Sequence, residues 1–106
     1  EKANEELTVN PRDPQVLGSL AGYYSDVGLH EKARATVTKA LAIAPTDGEI
    51  LFRAGCVFEA GGDRTRAMEF LKQALENGYP YIEIEDYPGL QALRNDRTFQ
   101  ELKPRR

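Results

Sequence analysis

Between residues 14 and 81, apolar side chains recur at helical spacing in four stretches separated by Gly, Pro and Asp. Leu17, Leu20, Ala21 and Tyr24 stand at i, i+3, i+4 and i+7, which predicts a helix from about Pro14 to Val27. Asp13 before Pro14 has the chemistry of an N-cap followed by a proline at the first helical position. Gly28 is the expected stop, since a left-handed closing residue is inexpensive only for glycine. A second helix, from about His30 to Ala44, places Ala33, Val37, Ala40 and Leu41 on one face, and Pro45 ends it. Leu51, Ala54, Gly55 and Phe58 form the inner face of a third, closed by Gly61-Gly62. Asp63 then caps a fourth, carrying Ala67, Phe70, Leu71, Ala74 and Leu75 and ended by Asn77-Gly78 and Pro80.

These four stretches are one pattern written twice. Laying residues 14–47 over 48–81 pairs Leu17 with Leu51, Gly28 with Gly62, Ala33 with Ala67, Ala40 with Ala74 and Leu41 with Leu75. Val16/Ile50, Tyr24/Phe58 and Val37/Leu71 keep apolar bulk at matching points. The alternation of small and large has a physical reason, because paired helices approach to about 8–10 Å only where the contacts are small. Ala21, Ala33, Gly55 and Ala67 let the backbones meet, while Tyr24, Val37, Phe58 and Leu71 fill the space beside them.

A helix–turn–helix unit repeating every 34 residues resembles the tetratricopeptide repeat (TPR) family. The family's large and small positions are met by Leu17, Leu20, Ala21, Tyr24, Ala33, Val37, Ala40 and Pro45, then by Leu51, Gly55, Phe58, Ala67, Leu71 and Ala74. Ala54 departs by being small, and Pro80 falls one residue late, as if the array ends there. The resemblance implies an all-α fold, a TPR-type α-α superhelix with a C-terminal capping helix. It divides the chain into the second helix of a truncated preceding repeat (1–13, with Leu7 matching Leu41 and Pro11 matching Pro45), repeats over 14–47 and 48–81, and a connector and cap over 82–106. Alternation in residues 82–86 is read as an extended connector. The stretch 90–102 resembles the tail that closes TPR arrays at the C-terminal ends of bacterial multidomain proteins, some with kinase, cyclase or winged-helix domains upstream. Leu90, Leu93, Phe99 and Leu102 are its apolar face, suited to cover the exposed edge of a last repeat.

Composition narrows the function more than it names it. A hydrophobic content of 41% without Trp suits the thin core of a solenoid. The formal net charge of -3 argues against a nucleic-acid surface, which needs a basic face for phosphates. No apolar run approaches the roughly 20 residues that cross a bilayer, so no membrane contact is expected. The opening Glu-Lys in place of Met reads as a piece of a longer chain, with the cytoplasm as the expected compartment.

Catalysis finds little to work with, and no enzymatic activity, cofactor or metal is expected. Cys56, the single cysteine, excludes an internal disulfide and reads as a small apolar helix residue. His30 is expected at the surface, and with Cys56 on another repeat it makes a poor dyad. Glu5 and Glu6 are adjacent on a helix and do not face each other. Tyr79, Tyr81 and Tyr87 are expected to pack the tail onto the last helix.

Binding is the better reading. In TPR arrays the first helix of each repeat lines a concave groove, and the resemblance carries that role to Gln15, Gly18, Ser19, Gly22, Ser25 and Asp26, then to Glu49, Phe52, Arg53, Cys56, Glu59 and Ala60. The Lys/Asn/Arg clamp that holds a peptide carboxylate in some members has no counterpart, because Gly18, Gly22, Phe52 and Cys56 stand at its positions. The expected function is a protein–protein interaction module that takes a peptide or partner protein, with Phe52 either an apolar anchor for the ligand or a packing residue against upstream helices or another chain. The alternative is self-association as a homodimer or scaffold segment of a larger bacterial regulator, since two repeats fall below the three or so usually needed for stability.

Overall fold

The computed structural model describes residues 12–102, so the truncated repeat expected over 1–13 lies almost entirely outside them. Four helices form two antiparallel pairs: α1 (Pro14–Asp26) with α2 (His30–Ile43), and α3 (Gly48–Ala60) with α4 (Arg64–Glu76). After them come α5 (Tyr81–Asp86), a 3-10 segment (Pro88–Asn95) and α6 (Arg97–Gln100). No strand occurs among the described residues.

Local chemistry sets the ends of the helices. The Asp13 carboxylate accepts from the Gln15 N–H at 2.8 Å, and Asp47, one repeat later, accepts from Glu49 and Ile50 at 3.0 and 3.2 Å. Asp63 does the same for Arg66 at 3.1 Å. Each such cap is worth about 1 kcal/mol, because it satisfies an amide the helix itself leaves open. At the other end, Gly28 and Gly62 turn left-handed with φ of 84° and 90°. That turn aims the Leu29 and Asp63 N–H groups back at the Tyr24 and Phe58 carbonyls, at 2.8 and 2.9 Å. α2 ends differently, with Ala44 donating to Ala40 and Pro45 following.

The helix pairs meet at their small residues. Ala21, Ala33, Ala54 and Ala67 are fully buried. At Gly55 the approach is closest: a Cβ there would lie 2.6 Å from Leu71 Cδ2 and 3.3 Å from the Ala67 carbonyl. Around these contacts the core forms three clusters: Leu17, Ala40 and Ile50; Val37, Val57 and Phe58 with the small residues; and Leu51, Leu71 and Ala74 with the tail. Leu41, half-buried, touches all three parts.

One expectation is corrected at residues 82–86, which are helical rather than extended. The alternation of Ile82 and Ile84 is misleading, for Ile84 is buried while Ile82 is 57% exposed. The spacing that matters is i, i+3, joining half-buried Tyr81 to Ile84, and the turn closes with Glu83 donating to the Pro80 carbonyl at 3.2 Å. Ile84, Leu90, Leu93 and Phe99 are buried against Leu51, Phe52, Met68, Leu71 and Ala74. Asp96 caps α6 by accepting from Thr98 at 2.8 Å.

Gly55→Ala is expected to destabilise the fold by about 1–3 kcal/mol through overpacking, although alanine is the better helix former. The urea midpoint measures this. An unchanged midpoint would mean that Leu71 can swing aside.

Candidate functional site

α1 and α3 lie side by side, and their shared face is not closed by the second helices. Residues 79–89 return along its edge, which leaves a cleft of about 370 Å³. α1 contributes Gly22, Ser25 and Asp26; α3 contributes Glu49, Phe52, Arg53, Cys56, Val57 and Ala60; Tyr79, Tyr87 and Gly89 make the remaining wall.

Phe52 is the floor. It is 8% exposed, with the Tyr79 ring stacked on it at 4.6 Å and the Tyr87 ring edge-on at 5.2 Å. Among the described residues its ring partners thus come from downstream of α4, and the ring is a packed surface at the base of the cleft. The tyrosines also divide their labour, since Tyr81 stacks on Phe99 at 5.9 Å instead of joining the cleft.

Arg53 lies across α1. A Cβ at Gly18 would sit 3.0 Å from its Cδ, and one at Gly22 would sit 3.6 Å from its Nη1. The two glycines thus form a slot that the Arg53 side chain fills, rather than open groove. Its head reaches Glu49 at 3.6 Å, while its Nε is buried with no hydrogen-bond partner among the described residues. Cys56 stands one turn further along α3, and burial pushes its thiol up to about 12, with Arg53 pulling weakly the other way. Such a thiol stays protonated and is a poor nucleophile at neutral pH. Burial likewise raises the Tyr79 phenol, helped by Glu83 and Glu49, and the Tyr87 phenol, helped by Cys56 and Asp26.

Of the residues expected to line the groove, Gly22, Ser25, Asp26, Glu49, Phe52, Arg53, Cys56 and Ala60 come together. Gln15 and Ser19 are exposed on α1 and lie off the cleft. Glu59 turns away to Arg64, accepting from Nη2 at 2.7 Å and from Nε at 3.2 Å. Sequence reasoning missed Val57, Tyr79, Tyr87 and Gly89; the only signal was the grouping of tyrosines around Pro80 and Pro88. His30, expected at the surface, is half-buried, its buried Nδ1 has no hydrogen-bond partner among the described residues, and it sits against Gly61. Among the described residues no group of His, Cys, Asp and Glu is placed to hold a metal ion.

The family model described as tetratricopeptide repeat matches residues 14–47 and 48–77, which is more than half of the chain. The chain belongs to the tetratricopeptide repeat family. Such repeats generally mediate protein–protein interaction and are typically non-catalytic. No curated protein sequence matches the chain. Among the described residues no helix is long and apolar enough to cross a membrane.

Two outcomes follow from the geometry of the floor. Phe52→Ala is expected to cost about 3–5 kcal/mol, read as a lowered urea midpoint, because it removes a ring from the core. An unchanged midpoint would place the ring outside the core. For Cys56, the folded thiol keeps its proton to about 12 whereas an ordinary thiol loses it near 9.0, so between those values the folded state binds more protons. Stability therefore falls as pH rises through that window, joined above 10.0 by the raised Tyr79 and Tyr87. Urea midpoints at about pH 8 and about pH 10.5 should show the loss, with a shallower slope in Cys56→Ala. Equal slopes would remove Cys56 from the cause.

Proposed function

We propose that the cleft between α1 and α3 is the site at which this chain takes a peptide segment of a partner protein. The observation that carries this reading is a depression of about 370 Å³ on the faces that TPR arrays use for ligands, with an aromatic floor already packed and a polar rim open to solvent. Concave sites of this size, mainly apolar with a few polar groups at the edge, are where binding energy concentrates. An extended or helical segment fits by laying one apolar side chain on the Phe52, Tyr79 and Tyr87 rings. In this reading residues 81–102 act as the cap of the array, and binding rather than chemistry is the activity.

Gly22 offers the cleanest test. Only Arg53 Nη1 lies within 4 Å of a Cβ built there, and Gly22 lines the cleft, so a larger side chain at this position competes with the Arg53 head for cleft space. Peptides selected from a random library on the wild-type protein are expected to bind Gly22→Tyr at least tenfold more weakly, while its thermal midpoint holds or rises as a helix glycine is replaced. Lys39→Ala, at an exposed position on α2, is expected to leave binding unchanged. Peptides that bind Gly22→Tyr as tightly as wild type would overturn the assignment.

A further inference from the structure

Resting on that reading, we infer that the segment this cleft takes is basic as well as apolar: a Trp, Phe or Leu side chain flanked by Lys or Arg. The acidic charge of the cleft is only partly compensated among the described residues. Asp26 and Glu49 line the cleft, and among the described residues Arg53 is the only cation that does. Arg53 is committed to Glu49 and held in its glycine slot, so it offsets one carboxylate and leaves the other. Asp26 is exposed and forms no ion pair among the described residues.

Backbone dipoles add to the same sign. The last turn of α1 lines the cleft through Ser25 and Asp26, and the last turn of α3 lines it through Val57 and Ala60. A helix C-terminus carries roughly half a negative charge, and cations are favoured there. Neither last turn contains a basic residue of its own. The last carbonyls of both helices accept backbone N–H groups, and Arg34 Nη1 stands beside Gly61 just past α3, so the helix ends add only modestly. The Asp26 carboxylate is the charge that no cation among the described residues pairs with. The ring faces of Tyr79 and Tyr87 favour a cation as well. An acidic segment would meet Asp26, Glu49 and both helix ends with the wrong sign.

The chain contains no Trp, so a Trp-bearing peptide reports its own binding by its emission. The probes are three acetylated, amidated peptides: Gly-Lys-Trp-Lys-Gly, Gly-Ser-Trp-Ser-Gly and Gly-Glu-Trp-Glu-Gly. At low salt the lysine peptide is expected to bind about tenfold tighter than the glutamate peptide, and roughly 0.5 M salt should compress that ratio. Asp26→Asn is expected to weaken the lysine peptide by about three- to fivefold and leave the serine peptide unchanged. Equal or tighter binding of the glutamate peptide, or indifference of the lysine peptide to Asp26→Asn, overturns the charge assignment. If Gly22→Tyr still abolishes binding in that case, the cleft stands as the site and only its preference is wrong. Absence of saturable binding by every probe, or binding indifferent to Gly22→Tyr, overturns the cleft reading and this inference together.

Discussion

The rest of the molecule depends on how closely α3 and α4 approach at Gly55. With Leu71 where a Cβ would otherwise sit, α3 is drawn into the middle of the fold and packed on nearly every side. Ile50, Leu51, Phe52, Ala54, Gly55, Val57 and Phe58 are all buried. What stays open on this helix is the stripe Glu49, Arg53, Cys56 and Ala60, spaced by four, three and four residues along one face. The cleft is that stripe. It exists because the opposite side of the same helix is pulled so tightly against its partner.

The second constraint is the return of the chain after α4. Ile84, Leu90, Leu93 and Phe99 bury themselves against the far end of the second repeat, which brings Tyr79 and Tyr87 alongside Phe52. Arg64 ties the same region together, pairing with Glu59 at 2.7 Å and with Asp96 at 3.7 Å. Asp96 meanwhile caps α6, so one carboxylate serves two purposes. Partly exposed pairs of this kind contribute at most about 1 kcal/mol each, whereas every buried leucine or phenylalanine contributes about 1.5–3 kcal/mol. The apolar face therefore anchors the tail, and the ions set its register.

The architecture could be read from the chain because its determinants are local. Asp13, Asp47 and Asp63 act on amides two or three residues away, and Gly28 and Gly62 close helices within a single turn. Repetition then multiplied weak signals into a strong one. The site was only half readable, because its missing half is made of contacts across long stretches of sequence. Nothing in a helical wheel says that Arg53 will fold over Gly18 and Gly22, or that Tyr79 and Tyr87 will wall the groove. Glu59 has the right position for the groove, yet a cation five residues on claims it. At residues 82–86 the error was one of period, since two isoleucines are too few to separate alternation from a short helix.

The cleft combines a packed part and an exposed one, and that division bears on its selectivity. Its floor is core: Phe52 cannot move without disturbing Leu51, Leu71 and Ile84, so an aromatic surface is presented already formed. A ligand need not order that surface, which spares the entropic cost that weakens flexible sites. Its rim is different. Asp26 and Glu49 are exposed, Glu49 paired with Arg53, and Tyr87 is 41% exposed at the edge. Arg53 lies between the two, its stem confined by glycines and its head held by a single carboxylate. In the proposed role, a packed apolar floor beneath an exposed acidic rim would discriminate by charge at the edge while asking at the centre only for apolar bulk, and the size of the cleft would limit that bulk to a side chain or two.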